Sequence, residues 1–92
     1  GRIADIQREI RKVDFKTLVR YMKVPGRGGI NIALDPAVLP IYTPQTLRRM
    51  AAHDDMNDSD ISTLRAALLT HGNPATITWL NDPNKGVIEF PA

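Results

Sequence analysis

Ninety-two residues, 42% of them apolar and 24% charged, make a chain too apolar to stay disordered and long enough for one modest core. There is no cysteine, which excludes disulfides and thiolate metal centres and leaves the redox compartment undecided. The net charge of +2 hides a sorting along the chain. Residues 1–27 hold eight cations (Arg2, Arg8, Arg11, Lys12, Lys16, Arg20, Lys23, Arg27) against three acids, whereas residues 28–92 hold four cations against seven acids. The local charges are therefore +5 and −3, and four of the later acids, Asp54, Asp55, Asp58 and Asp60, fall in one short stretch.

No apolar run approaches the length of a membrane span, and Arg2 to Val13 is too charged for an apolar targeting core. A start at Gly1 rather than Met reads as an excised domain or a processed product. Along the chain, Ile3, Ile6, Ile10 and Val13 recur at spacings of three and four, which predicts an amphipathic helix. Asp14 is placed to cap a second helix with the stripe Phe15, Leu18, Val19 and Met22, although Val13-Asp14-Phe15 also fits a short strand. Val24-Pro25 and the run Gly26-Arg27-Gly28-Gly29 end that helix in a glycine-rich loop. Ile30, Ile32 and Leu34 alternate with Asn31 and Ala33, the period-two pattern of a half-buried strand, which Asp35-Pro36 stops.

Residues 37–42 are apolar but broken by Pro40 and read as an extended, packed connection. Thr43-Pro44 predicts a helix start, with Leu47, Met50 and Ala51 inward and an end near His53. Residues 54–60 then form an acidic loop in which Ser59 or Asp60 caps the next helix. That helix buries Ile61, Leu64 and Leu68 and stops at Gly72, followed by Asn73-Pro74. The chain closes on Thr76-Ile77-Thr78-Trp79-Leu80 and Val87-Ile88-Glu89-Phe90 around a turn-rich segment, which predicts a β-hairpin with Ile77, Trp79, Ile88 and Phe90 on one face. The expected fold class is α+β: residues 1–92 as a small single domain of three to four helices with a short sheet that includes the C-terminal hairpin.

Catalysis finds little support in these residues. The histidines are His53 and His71 alone, and His71 in a last helical turn is explained by capping. The acids gather in one polar loop rather than as two separated carboxylates. As a calcium loop, the segment from Asp55 has Asp60 where glycine is required and Ala66 where a bidentate glutamate is required. No enzyme activity, cofactor, metal or small-molecule substrate is expected.

Three segments resemble known patterns. Gly26-Arg27-Gly28-Gly29 has the GxxG form with which one class of RNA-binding domain clamps the nucleic-acid backbone. That class needs a helix directly after the loop, where this chain has its alternating run, so the segment reads as a connector whose Arg27 can touch phosphate. The order helix 44–53, turn, helix 60–71 and hairpin resembles a winged helix-turn-helix, with Met50, Ala51, Met56, Ile61 and Leu64 at its apolar positions. Asp54 and Asp55 depart from that pattern, and a reading helix that begins with Asp58 and Asp60 and offers only Arg65 is poorly charged for a duplex. Val13-Asp14-Phe15, Ile30 to Pro36 and Leu64 to Gly72 before a hairpin are similar in order to the small α+β modules of outer-membrane secretins. That resemblance implies a non-catalytic, ring-building role.

The functional expectation is a non-enzymatic protein-docking or self-assembly domain. Arg8, Arg11, Lys12, Arg20, Lys23 and Arg27 form its basic face, and Asp54, Asp55 and Asp58 an acidic loop that meets another copy of the chain. An acidic protein surface is the other expected partner, and a nucleic acid bound through the basic helices is the alternative.

Overall fold

The computed structural model describes residues 1–12, 15–24 and 31–85. Among these residues it contains five α-helices: α1 (Arg2–Lys12), α2 (Phe15–Lys23), α3 (Pro44–Ala51), α4 (Asp58–His71) and α5 (Pro74–Leu80). Two 3₁₀ turns, Ile32–Leu34 and Leu39–Ile41, bridge α2 to α3. The described residues hold no strand, so the α+β expectation is wrong and the fold is helical.

Two segments account for the correction. The alternation over residues 30–34 predicts a half-buried strand; Ile30 lies outside the described residues, and within 31–34 Ile32 and Leu34 are half-buried while Ala33 alone is fully enclosed. Asn31 decides this locally. Its side-chain oxygen accepts the Ala33 N–H at 2.9 Å and caps a 3₁₀ turn, while its amide donates to the Met22 carbonyl at 3.1 Å. The first arm of the expected hairpin, residues 76–80, is the body of α5. Asn73 caps that helix by accepting the Thr76 N–H at 2.8 Å, and Pro74 occupies the first turn, where a missing N–H costs nothing. The second arm, 87–90, lies outside the described residues, as do the Val13-Asp14 junction and the glycine-rich run 26–29.

Other expectations hold with small shifts. Thr43 caps α3 by accepting the Thr46 N–H, and Pro44 follows it. The cap of α4 is Asn57, two residues before Ser59 and three before Asp60: Asn57 accepts the Asp60 N–H at 2.8 Å and the Asp60 carboxylate accepts the Asn57 N–H at 3.3 Å, a reciprocal capping box. In α1, Ile6 and Ile10 are buried but Ile3 at its first turn is 37% exposed.

The buried side chains form one cluster running from Ile6 and Ile10 through Leu18, Leu39, Leu47, Met50 and Leu64 to Leu80. α1 packs on α2, α2 on α3 and on the Ile32–Leu34 turn, and α4 on α5 and the Leu39–Ile41 turn. Tyr42 joins the parts. It is fully buried, and its hydroxyl donates to the Ala33 carbonyl at 3.1 Å. Its own carbonyl accepts from the Asn73 amide and the Thr76 hydroxyl, both at 2.9 Å. Burial disfavours the phenolate, so the Tyr42 hydroxyl titrates well above the usual phenol range. Among the described residues, no helix is long and apolar enough to cross a membrane.

Candidate functional site

The amphipathic spacing that buries one face of α1 and α2 turns their cations outward. On α1, Arg8, Arg11 and Lys12 lie opposite Ile6 and Ile10 and are exposed. On α2, Lys16, Arg20 and Lys23 stand at spacings of four and three, so they form one stripe along the helix. This stripe lines a cleft of about 420 Å³ together with Val19 and Asp55. Its opposite wall is the segment between α3 and α4, pinned to the core by the buried Met56.

The acidic loop thus lies beside the basic stripe of its own chain, and the two patches are neighbours rather than opposite poles. Lys23 Nζ pairs with Asp60 Oδ2, the same oxygen that accepts the Asn57 N–H. One carboxylate therefore closes the α4 capping box and ties α2 to it. Among the described residues, no other ion pair joins the acidic loop to α1 or α2. Arg8 pairs with Asp5 on its own helix at 3.0 Å. Arg2, Arg11, Lys12, Lys16 and Arg20 are exposed and make no ion pair among the described residues. Arg27 lies outside the described residues. Asp54 and Asp58 are exposed without an ion pair among the described residues, and Asp55 lies 4.0 Å from His53 Nδ1.

The His53 ring is engaged locally: Nδ1 accepts the Asp55 N–H at 3.1 Å. His71 is exposed at the end of α4. Among the described residues, no group of three or more histidines and acids converges in a way that could hold a metal.

A second cationic cluster has no counterpart in the sequence reading. The guanidinium of Arg48 on α3 lies 5.7 Å from the centre of the Trp79 ring on α5, and Lys85 Nζ lies 5.8 Å from it. Arg48 also donates to the Lys85 carbonyl at 2.6 Å, and Lys85 donates to the Leu80 carbonyl at the end of α5 at 3.3 Å. The chemistry is that of a clasp holding the turn after α5 against α3. Placing Trp79 on a strand hid it: on the helical α5 the ring meets Arg48 of α3.

The helix-turn-helix arrangement does not form. α3 packs chiefly against α2, α4 packs against α5, and the segment expected as part of the wing is helical. Arg65, the single cation on the helix that would have read a groove, is half-buried with its Nε shielded from solvent. The likeness to the secretin modules falls with the same strands. No protein-family model, curated protein or solved structure matches the chain.

Proposed function

We propose that this chain is a non-enzymatic docking domain whose outward α1–α2 face binds an acidic protein surface. The observation carrying this reading is the set of five exposed cations on α1 and α2 with no ion pair among the described residues, beside an acidic loop whose one ion pair to α1 or α2 among those residues is Asp60–Lys23. Exposed charge pairs contribute about 0–1 kcal/mol each, so the affinity is modest and strongly salt-dependent. A second copy presenting Asp54 and Asp58 is the self-assembling form of the same reading. Because stripe and loop share one face, that form pairs two copies about a two-fold axis rather than head to tail. A nucleic acid bound through the same α1–α2 cations is the second reading, since exposed lysines and arginines on one face can each neutralise a phosphate.

One panel separates these readings. Sedimentation velocity at low and high salt measures self-association, and fluorescence anisotropy measures binding of an acidic peptide and of random-sequence DNA and RNA. The docking reading expects peptide binding that weakens with salt and is lost when Arg11, Lys12, Lys16 and Arg20 are reversed to glutamate. A strict monomer ends the self-assembling form, and nucleic-acid binding without peptide binding, lost in those reversals, replaces docking with the second reading.

A further inference from the structure

We propose that the cleft beside α2 is the seat for an extended acidic peptide in which every second residue is a carboxylate, bound by Lys16 and Arg20. This rests on the docking reading and assigns its ligand and its place. At a rise of 1.5 Å per residue, Lys16 and Arg20 emerge about 6 Å apart along α2, and Lys16 and Lys23 about 10.5 Å apart. An extended chain repeats its same-side residues every second position, about 6.6 Å apart, so alternating acids meet Lys16 and Arg20 in register.

The stripe and Asp55 bound a cleft of about 420 Å³, and a ligand seated in it runs along α2 past both Lys16 and Arg20. The chain already contains one instance of the chemistry, because Asp60 holds Lys23 at one end of the stripe. Lys16 and Arg20 are the positions still without an ion pair among the described residues, and Arg20 adds a planar fork that grips a carboxylate with two N–H groups. Asp55 lines the same cleft and carries the ligand's own sign, so it opposes binding and sets which peptide positions must be uncharged.

The test uses the full chain and two labelled eight-residue peptides of equal charge: four Glu-Ser repeats, and four glutamates followed by four serines. Anisotropy at low salt is expected to show several-fold tighter binding of the alternating peptide. Lys16→Glu combined with Arg20→Glu should weaken it by about tenfold or more, with circular dichroism confirming the fold of these surface variants. Asp55→Asn should tighten it about threefold, a gain that loss of structure cannot mimic. If Arg8→Glu with Arg11→Glu abolishes binding while the α2 pair does not, the cleft assignment is overturned and the docking reading stands. Equal affinity for the two peptides with no effect of Asp55→Asn also overturns it. Failure of both peptides to bind ends both proposals. Binding of single-stranded DNA alone, lost in the α2 variant, replaces the peptide with a nucleic acid.

Discussion

Replacing Asn73 tests the helical C-terminal half at its most connected surface residue. Its oxygen accepts the Thr76 N–H, and its amide donates to the carbonyls of Pro40 and Tyr42, each at 2.9 Å. Asn73→Ala removes the cap, worth about 1 kcal/mol, and two donated bonds of about 0.5–1.5 kcal/mol each. The Tyr42 carbonyl keeps the Thr76 hydroxyl and the Pro40 carbonyl is reachable by water, so the loss settles near 2–3 kcal/mol. For a chain of this length that lowers Tm by roughly 10–20 °C. Asn73→Asp keeps the acceptor but turns a carboxylate toward two carbonyls, at a cost of about 1–2 kcal/mol. Urea unfolding followed by the fluorescence of Trp79, the one tryptophan, reads α5 directly. Were the hairpin correct, Asn73 would be a loop residue and both variants would fall within about 0.5 kcal/mol of the parent. That result would refute the capped helix.

Tyr42→Phe leaves the Ala33 carbonyl unpaired in the core and should cost about 1–2 kcal/mol near neutral pH. The folded state keeps the phenol proton that the unfolded state releases above about pH 10, so the parent loses stability as pH rises past that point. Urea midpoints between about pH 9 and pH 11 should therefore converge for parent and variant, and a constant gap contradicts the burial argument. Gly72→Ala places a Cβ 2.5 Å from the Leu68 carbonyl oxygen, a backbone atom that cannot step aside, and should destabilise by about 1–3 kcal/mol. A rise in Tm there shows that the end of α4 is built differently. Asp60→Ala removes both the return arm of the capping box and the Lys23 partner, about 1–2 kcal/mol, whereas Lys23→Ala removes only a partly exposed pair worth under about 1 kcal/mol. Equal losses in thermal melts contradict the dual role of that carboxylate.

Helices with their own caps were legible from the residues. α3 shows Thr43-Pro44 ahead of Leu47 and Met50, and α4 shows its apolar stripe and terminal Gly72. α5 was missed because Asn73-Pro74 serves two helices at once: read backward it stops α4, and read forward it starts α5 with the chemistry of Thr43-Pro44. The β-branched run Thr76-Ile77-Thr78 then argued for a strand by propensity. Tertiary contact overrides that weak preference, since the Thr76 hydroxyl is fully buried and spent on the Tyr42 carbonyl. Residues 30–34 are too short for alternation to separate a strand from a 3₁₀ turn, and the Asn31 cap is the signal that does so. At the candidate site, the outward cations follow from helical spacing. That the acidic loop folds back beside α2 does not, because it depends on Met56 anchoring the loop to the core. The Arg48–Trp79–Lys85 cluster was out of reach once residues 76–80 were assigned to a sheet.

Backbone amide shifts recorded while the peptide of four Glu-Ser repeats is added at low salt test the docking claim most directly. Docking along α2 should give the largest changes at residues 16–23, smaller ones at 8–12, and little movement at 44–51 and 74–85, all fading as salt is raised. Changes concentrated at Arg48, Trp79 and Lys85, or none along α1 and α2, contradict it.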